Sequence, residues 1–429
     1  MKKVILAALA CAAFVQPAIA QEAPARTYVH AGRLLADPAS GRVETAKTIV
    51  VERGKIVEIR DGYVGEGEVV DLRDAFVMPG LIDSHVHLTF ESSPSSRLDA
   101  VTKSTTDQAF DGVVYAGRTV RAGFTTVVDL GASQEAINAL RNATASGKVV
   151  GPRIIAAGGV AAHGGHGDVH GYRQEIIDLF RSPTLCSGAD DCARAVRQAI
   201  QGGADIIKTA STGGVMSNTA AGLGQQMSDA ELVSIVETAH RLGRKVAAHA
   251  HGTDGVNAAL RAGVDSIEHG TYIDAESIRL FKAKGSYLVP TLLAGDTVTQ
   301  QAATADWMPE PVRVKARTVG PLMVDALRRA HQGGVKIAFG TDSAVSKHGE
   351  NAREFALMVK AGMTPLDTIR AATVWGATHI GLENEIGSIS AGKAADIVAV
   401  RGDPLKDVRQ LETMHFVMKG GAVVRPTGE

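Results

Sequence analysis

Three cysteines, no surplus of either charge and no long apolar run beyond its first twenty residues set the first limits on this chain of 429 residues. One cysteine, Cys11, lies in the N-terminal segment; Cys186 and Cys192 sit together in CSGADDC. One local pair does not make a metal site, and it reads either as a local disulfide in an oxidising compartment or as two free thiols. Lys+Arg (45) and Asp+Glu (46) nearly cancel. No basic excess therefore points to nucleic acid, and no acidic run reads as a tail. No Pro-rich linker or low-complexity stretch divides the chain, and the segments between its apolar runs do not repeat one another. With 45% hydrophobic residues, the chain can bury a large core as one big domain or two smaller ones. These absences favour a small partner recognised at a local site.

The start of the chain has its own character. MKK is basic, VILAALACAAFV is a short apolar run, and AIA precedes Gln21. That order reads as a secretory signal peptide over residues 1–20, too short for a membrane span. ALAC loosely resembles a lipid-anchor signal at Cys11, but the apolar run continues past the cysteine and argues against it. The expectation is an exported, soluble, periplasmic protein.

A rhythm of short apolar strands fills the middle: LIDSHVHL (81–88), FTTVVDL (124–130), RIIAAGG (153–159), ADIIKTA (204–210), KVAAHAH (245–251), VDSIEHG (264–270), YLVPTLL (287–293) and VKIAFGTD (335–342). Amphipathic helical patterns such as SDAELVSIVETAHRLG separate most of them. A glycine stands before strand after strand, as at Gly123, Gly203, Gly243, Gly263, Gly285 and Gly334, where a helix would stop. Eight β-then-α units argue for an α/β fold, a closed (β/α)8 TIM-like barrel, over residues 80–384. The flanks read as alternating strands. TIVVERGKIVEIRDG belongs to a segment spanning 21–79, and AADIVAVRGDP and HFVMKGGAVVR to one spanning 385–429. The two segments are expected to combine into one small β-sandwich domain; two independent β caps are the alternative.

Chemistry-bearing residues gather at the strand ends. His85 and His87 are two apart, so they share a strand face. His249 closes the apolar part of the fifth strand, His269 the sixth and Asp342 the eighth. Lys208 ends the fourth, where an unpaired ammonium is costly and must be paired, neutralised or modified. In such barrels the carboxyl ends of the strands line the active site. Each residue has an ordinary reading taken singly: a satisfied core histidine, or a helix-capping aspartate. Six of them from five strands on one rim point to a shared site.

PGLIDSHVH, Lys208, AAHAHG, SIEHG and FGTD together resemble the amidohydrolase superfamily, over nearly the whole mature chain. The resemblance implies two divalent ions bridged by a carboxylated Lys208; nitrogen and oxygen ligands suit Zn2+, with Mn2+, Co2+ or Fe2+ as alternatives. It implies His85, His87 and Asp342 on one ion, His249 and His269 on the other, and Asp342 as the proton-transferring base. His251 has the same pleat parity as His249, so periodicity does not choose between them; the family pattern makes His249 the ligand and leaves His251 for substrate. His163, in AAHGGHGD, is expected to donate to the substrate carbonyl or carboxylate, with a glycine-rich surface loop as its ordinary reading. Val215 and Met216 are expected to shape the pocket. GGHGD, IKTASTGGVMS and AAHAHG are most similar to the Xaa-Pro dipeptidase-like branch, which includes carboxypeptidases and ochratoxin-type amidohydrolases. That similarity implies a substrate with a C-terminal peptide-type amide and a free carboxylate, and an enzyme that assembles as a homo-oligomer. The alternatives are a lactonase or organophosphate hydrolase on the same site, or a non-catalytic metal-binding barrel.

Overall fold

The computed structural model describes residues 26–169, 171–217 and 222–428; the expected leader and Cys11 lie outside them. Four strands come first: β1 (Arg26–Leu34), β2 (Glu44–Glu52), β3 (Lys55–Asp61) and β4 (Glu68–Pro79). Eight strands of one sheet follow, besides a two-residue pair, Ala161–Ala162 with Leu185–Cys186: β5 (Leu81–Val86), β6 (Phe124–Asp129), β7 (Arg153–Gly159), β8 (Ile206–Ala210), β9 (Val246–Ala250), β10 (Ser266–His269), β11 (Tyr287–Val289) and β12 (Lys336–Ile337). The last three are β13 (Ile397–Val400), β14 (Phe416–Lys419) and β15 (Ala422–Arg425).

Strands β5 to β12 form one parallel sheet in chain order. β5 and β6 are buried along their whole length, as expected of parallel strands covered on both faces. The sheet closes on itself. Ser84 N donates to Phe339 O (2.8 Å), Asp342 N to His85 O (2.7 Å) and His87 N to Ser343 O (2.8 Å). The barrel expected from the sequence is therefore present, with two local differences. The seventh strand stops at Val289, and Leu292 opens the helix Leu292–Thr304. The eighth pairs with β11 only at Lys336–Ile337, and the chain beyond it turns to β5.

Several of the helices between strands carry caps. Ser228 and Glu231 make a reciprocal capping box on Asp229–Arg241, and Ser104 and Asp107 do the same on Thr105–Arg121. Gly263 and Gly285 end their helices in the left-handed conformation, φ 95° and 71°, which a residue with a Cβ resists. The largest core cluster fills the space between helices and barrel, with Phe339 packed on both Phe124 and Phe355.

Both ends of the chain share a second sheet of seven strands in the order β15-β14-β13-β4-β1-β2-β3, with β4 parallel to β1 and antiparallel to β13. It rolls around its own core, which includes Val29, Ile49, Ile56, Val77, Ile397, Phe416 and Met418. The roll brings the β2–β3 turn against the β14–β15 turn, where a Cβ on Gly54 would lie 2.7 Å from Gly420 O. The two sheets are joined at β4, which runs through Gly80 directly into β5. Buried Asp396 locks this junction by accepting from Arg153 of β7 (2.8 Å) and from Gly420 N (2.7 Å). Among the described residues no helix is long and apolar enough to cross a membrane.

Candidate metal centre

The strand ends bring the five acidic and imidazole side chains to one rim, and each imidazole is aimed by a bond at its far nitrogen. His87 Nδ1 donates to Gly131 O (2.8 Å), so its Nε2 carries a lone pair or is protonated toward Asp342. His85 Nδ1 is 2.8 Å from Glu268 Oε2. Nε2 of His87 and of His85 lie 3.0 and 3.5 Å from the same oxygen, Asp342 Oδ1. Two ligands each about 2.1 Å from one tetrahedral ion lie about 3.4 Å apart, so this trio has the spacing of donors around one cation. His269 Nδ1 is held by Thr291 Oγ1 (2.6 Å) and presents Nε2. His249 is aimed the other way: Nε2 faces Gly213 O (3.3 Å), leaving Nδ1 toward the site. Ligand atoms of His85, His269 and Asp342 form one compact group, and those of His249, His251 and His269 form another. His269 belongs to both, so the two donor groups are contiguous.

Lys208 stands among them. Its stem is partly exposed, but Nζ is buried and has no hydrogen-bond partner among the described residues. Burial lowers its pKa, against the opposing pull of Glu268 and Asp342. Burial also depresses His85, His249 and His269 well below the usual imidazole value, with Lys208 and neighbouring imidazoles adding to the effect. Neutral imidazole is the metal-binding form. Burial works to raise the Asp342 carboxyl, yet His85 and His87 bring it down to about 2. His87 differs: burial works to lower its pKa, but the bond to Asp342 raises it. The set therefore comprises three neutral imidazoles, a fourth paired with an ionised carboxylate, and an amine with nothing to bind. It fits a site for divalent metal, and it fits a free ammonium poorly.

The backbone is strained here. Asp342, His269 and Thr291 take φ of 57°, 71° and 49°. Each such non-glycine residue costs about 1–3 kcal/mol, and such costs cluster at functional sites. A buried frame braces the chain beside Asp342: Asp83 accepts from Thr341 Oγ1 (2.6 Å), Thr341 N (3.1 Å), Asn351 Nδ2 (2.8 Å) and His85 N (3.1 Å). Those bonds join the end of β5 to the chain beyond β12.

The loop beyond β7 departs from expectation. His163 is exposed and its Nδ1 meets Ser187 Oγ (3.0 Å), beside the Cys186–Cys192 disulfide. It does not reach the cluster. His166 does, stacking on His249 with ring centroids 4.1 Å apart. It fits because Gly214 lacks a side chain: a Cβ there would lie 2.5 Å from the His166 ring. Val215 is buried in the hydrophobic core, while Met216 is exposed. His251 is buried beside the cluster, stacked on His269, with Nδ1 2.8 Å from Thr271 Oγ1. His348 lies apart from the group, with Nε2 donating to Phe90 O (2.9 Å) and its ring on Tyr115.

Reading the sequence missed three residues. Glu268 was visible as a charge inside SIEHG, one position before a candidate ligand. His166 was visible as the second histidine of its loop. Lys315, on the helix Glu310–Gln332, carried no local signal; its Nζ donates to Gly214 O (2.8 Å) and Ser217 O and acts electrostatically on His251.

Comparison with known proteins places this geometry among relatives. The model of the amidohydrolase family matches residues 76–425. An ochratoxinase of Aspergillus niger is 32% identical over 374 residues, covering 82% of this chain and 76% of its own. A crystal structure of a Xaa-Pro dipeptidase with bound methionine in the active site is 40% identical. It has a TM-score of 0.88 and covers 93% of this chain and 99% of its own. A prolidase complexed with N-methylphosphonate-L-proline is 28% identical, with a TM-score of 0.85, over 94% of this chain and 100% of its own.

Proposed function

The chain belongs to the amidohydrolase family and is a hydrolase acting on amide or peptide bonds; from that premise we propose that it releases the C-terminal residue of dipeptides or N-acyl amino acids. The observation that carries the proposal is Lys208: a buried, partnerless amine among imidazoles and a carboxylate. Condensation of that amine with CO2 forms an N–C bond, releases one proton and yields a carbamate whose two oxygens suit two cations. In this reading His85, His87 and Asp342 would hold one divalent ion, and His249 and His269 the other, with the Lys208 carbamate as a shared anionic ligand; Zn2+ would suit such donors. Two such ions supply Lewis acidity toward a water molecule and the scissile carbonyl.

The chain's own residues do the rest. Asp342 takes the proton of the attacking water and returns it to the departing amine. His166 lies against His249, placed to donate to the carbonyl oxygen as it gains charge. Burial takes the pKa of His251 down to about 3, so it stays neutral and contributes a hydrogen bond. The positive charge for a substrate carboxylate then comes from Lys315. The relatives support this substrate class, since one is a Xaa-Pro dipeptidase and another a prolidase. Export, with cleavage before Gln21, belongs to the same proposal.

The test is a panel of dipeptides and N-acyl amino acids varied at the C-terminal residue, run with metal content measured on the same samples. Turnover of several members with about two ions per chain is expected. Cleavage confined to lactones or phosphotriesters would overturn the assignment.

A further inference from the structure

The helix Leu292–Thr304 is capped in an unusual way, and this bears on the metal centre. Its N-cap position is Thr291, a residue type that ordinarily accepts from the helix's own first N–H groups. Here it does not: its backbone is left-handed (φ 49°, ψ 44°) and no side-chain cap bond forms. Its hydroxyl goes to His269 Nδ1 instead, at 2.6 Å. The helix N–H groups are satisfied from 61 and 62 residues away. Glu354, fully buried on the helix Arg353–Lys360, accepts from Leu292 N at Oε1 (2.9 Å) and from Leu293 N at Oε2 (2.6 Å). Among the described residues no basic side chain pairs with it. Burial raises its pKa to about 8 in spite of these two bonds, as expected of a carboxyl buried without a cation, and the two bonds are what it makes.

We propose that Glu354 is a positioning residue of the metal centre: by capping this helix it releases the Thr291 hydroxyl to orient His269. Without the carboxylate, two buried N–H groups lack acceptors and the Thr291 hydroxyl is the nearest substitute. Turning to cap them, it lets go of His269, whose Nε2 is then no longer aimed. Partners that orient a ligand imidazole typically contribute 10- to 100-fold to metal affinity. Asn351, three residues before Glu354, bonds Asp83, so this short stretch braces the strand ends bearing His85 and Asp342 as well as the one bearing His269.

The inference rests on the metal-centre reading, and its test separates the two. Zn2+ affinity is measured on the full chain by competition with a chromogenic chelator, and the Co2+ absorption spectrum is recorded for the same variants. Thr291→Val is expected to weaken the weaker-binding ion 10- to 100-fold, and Thr291→Ser to restore it to within about threefold. Glu354→Gln is expected to match Thr291→Val, and the double variant to be no weaker than the worse single one, because both cut one chain of contacts. Additive losses in the double variant, or an unchanged affinity and spectrum in Glu354→Gln, would overturn the role of Glu354. Should Glu354→Gln fail to fold, equal affinities for Thr291→Val and wild type would do the same. Wild-type protein that binds no divalent ion would instead overturn the metal-centre reading, and this inference with it.

Discussion

Replacing Lys208 by methionine should make the metal-free protein more stable and the enzyme inactive. The side chains are similar in length, and the change removes Nζ, a polar atom buried without a partner. An unsatisfied buried donor costs about 1–3 kcal/mol, more if charged. Relief of that cost predicts a gain of about 2 kcal/mol, read as a higher urea midpoint with unchanged slope in the presence of chelator. After reconstitution with Zn2+ and bicarbonate, mass spectrometry should find fewer than two ions per chain, because the bridging anion cannot form. Lys208→Ala gives a contrasting result. Truncation leaves room where the carbamate would stand, so formate or acetate should restore part of the activity, whereas methionine fills that room and admits no rescue. The reasoning fails if Lys208→Met lowers metal-free stability by 1 kcal/mol or more, or if it retains two ions and normal turnover.

Three further outcomes follow from the geometry. His166→Ala should lower kcat/KM by 100-fold or more, as loss of a positioned donor does, while His163→Ala stays within about threefold of wild type; equal effects would return the loop to its sequence-based reading. Lys315→Met should raise KM for substrates with a free carboxylate by about tenfold, one charge-assisted bond's worth, and leave their C-terminal amides unaffected. If both substrate forms lose equally, Lys315 acts by holding Gly214 and Ser217. His379 is buried and its pKa is lowered by burial to about 4. The unfolded chain therefore binds the extra proton first as pH falls, and stability drops by about 3 kcal/mol between pH 6.5 and 4. Urea titrations of the chelated protein should show that limb flattened in His379→Leu; an identical slope would assign the acid sensitivity elsewhere.

The barrel and the rim were legible for a common reason. Parallel strands buried on both faces read as continuous apolar runs, so a charged or imidazole side chain at the end of one stands out against its neighbours. Lys208 and Asp342 are visible for that reason. Where a residue's role depends on a contact distant in sequence, the pattern is silent. PTLL continues the apolarity of the seventh strand, yet Thr291 is left-handed, its hydroxyl lies on His269 and Glu354 caps the helix that begins at Leu292, and the strand ends early. His163 and His166 differ by three positions between glycines, and nothing local ranks them. Ser187, beside the Cys186–Cys192 disulfide, takes one, and the open space at Gly214 admits the other. Glu268, Glu354 and Lys315 look like ordinary surface charges until their partners, 61 to 183 residues away, are brought to them. The candidate ligands come from single strands and can be read one at a time. The groups that aim them come from pairs of segments, and the orientation of the imidazoles is therefore a property of the closed barrel.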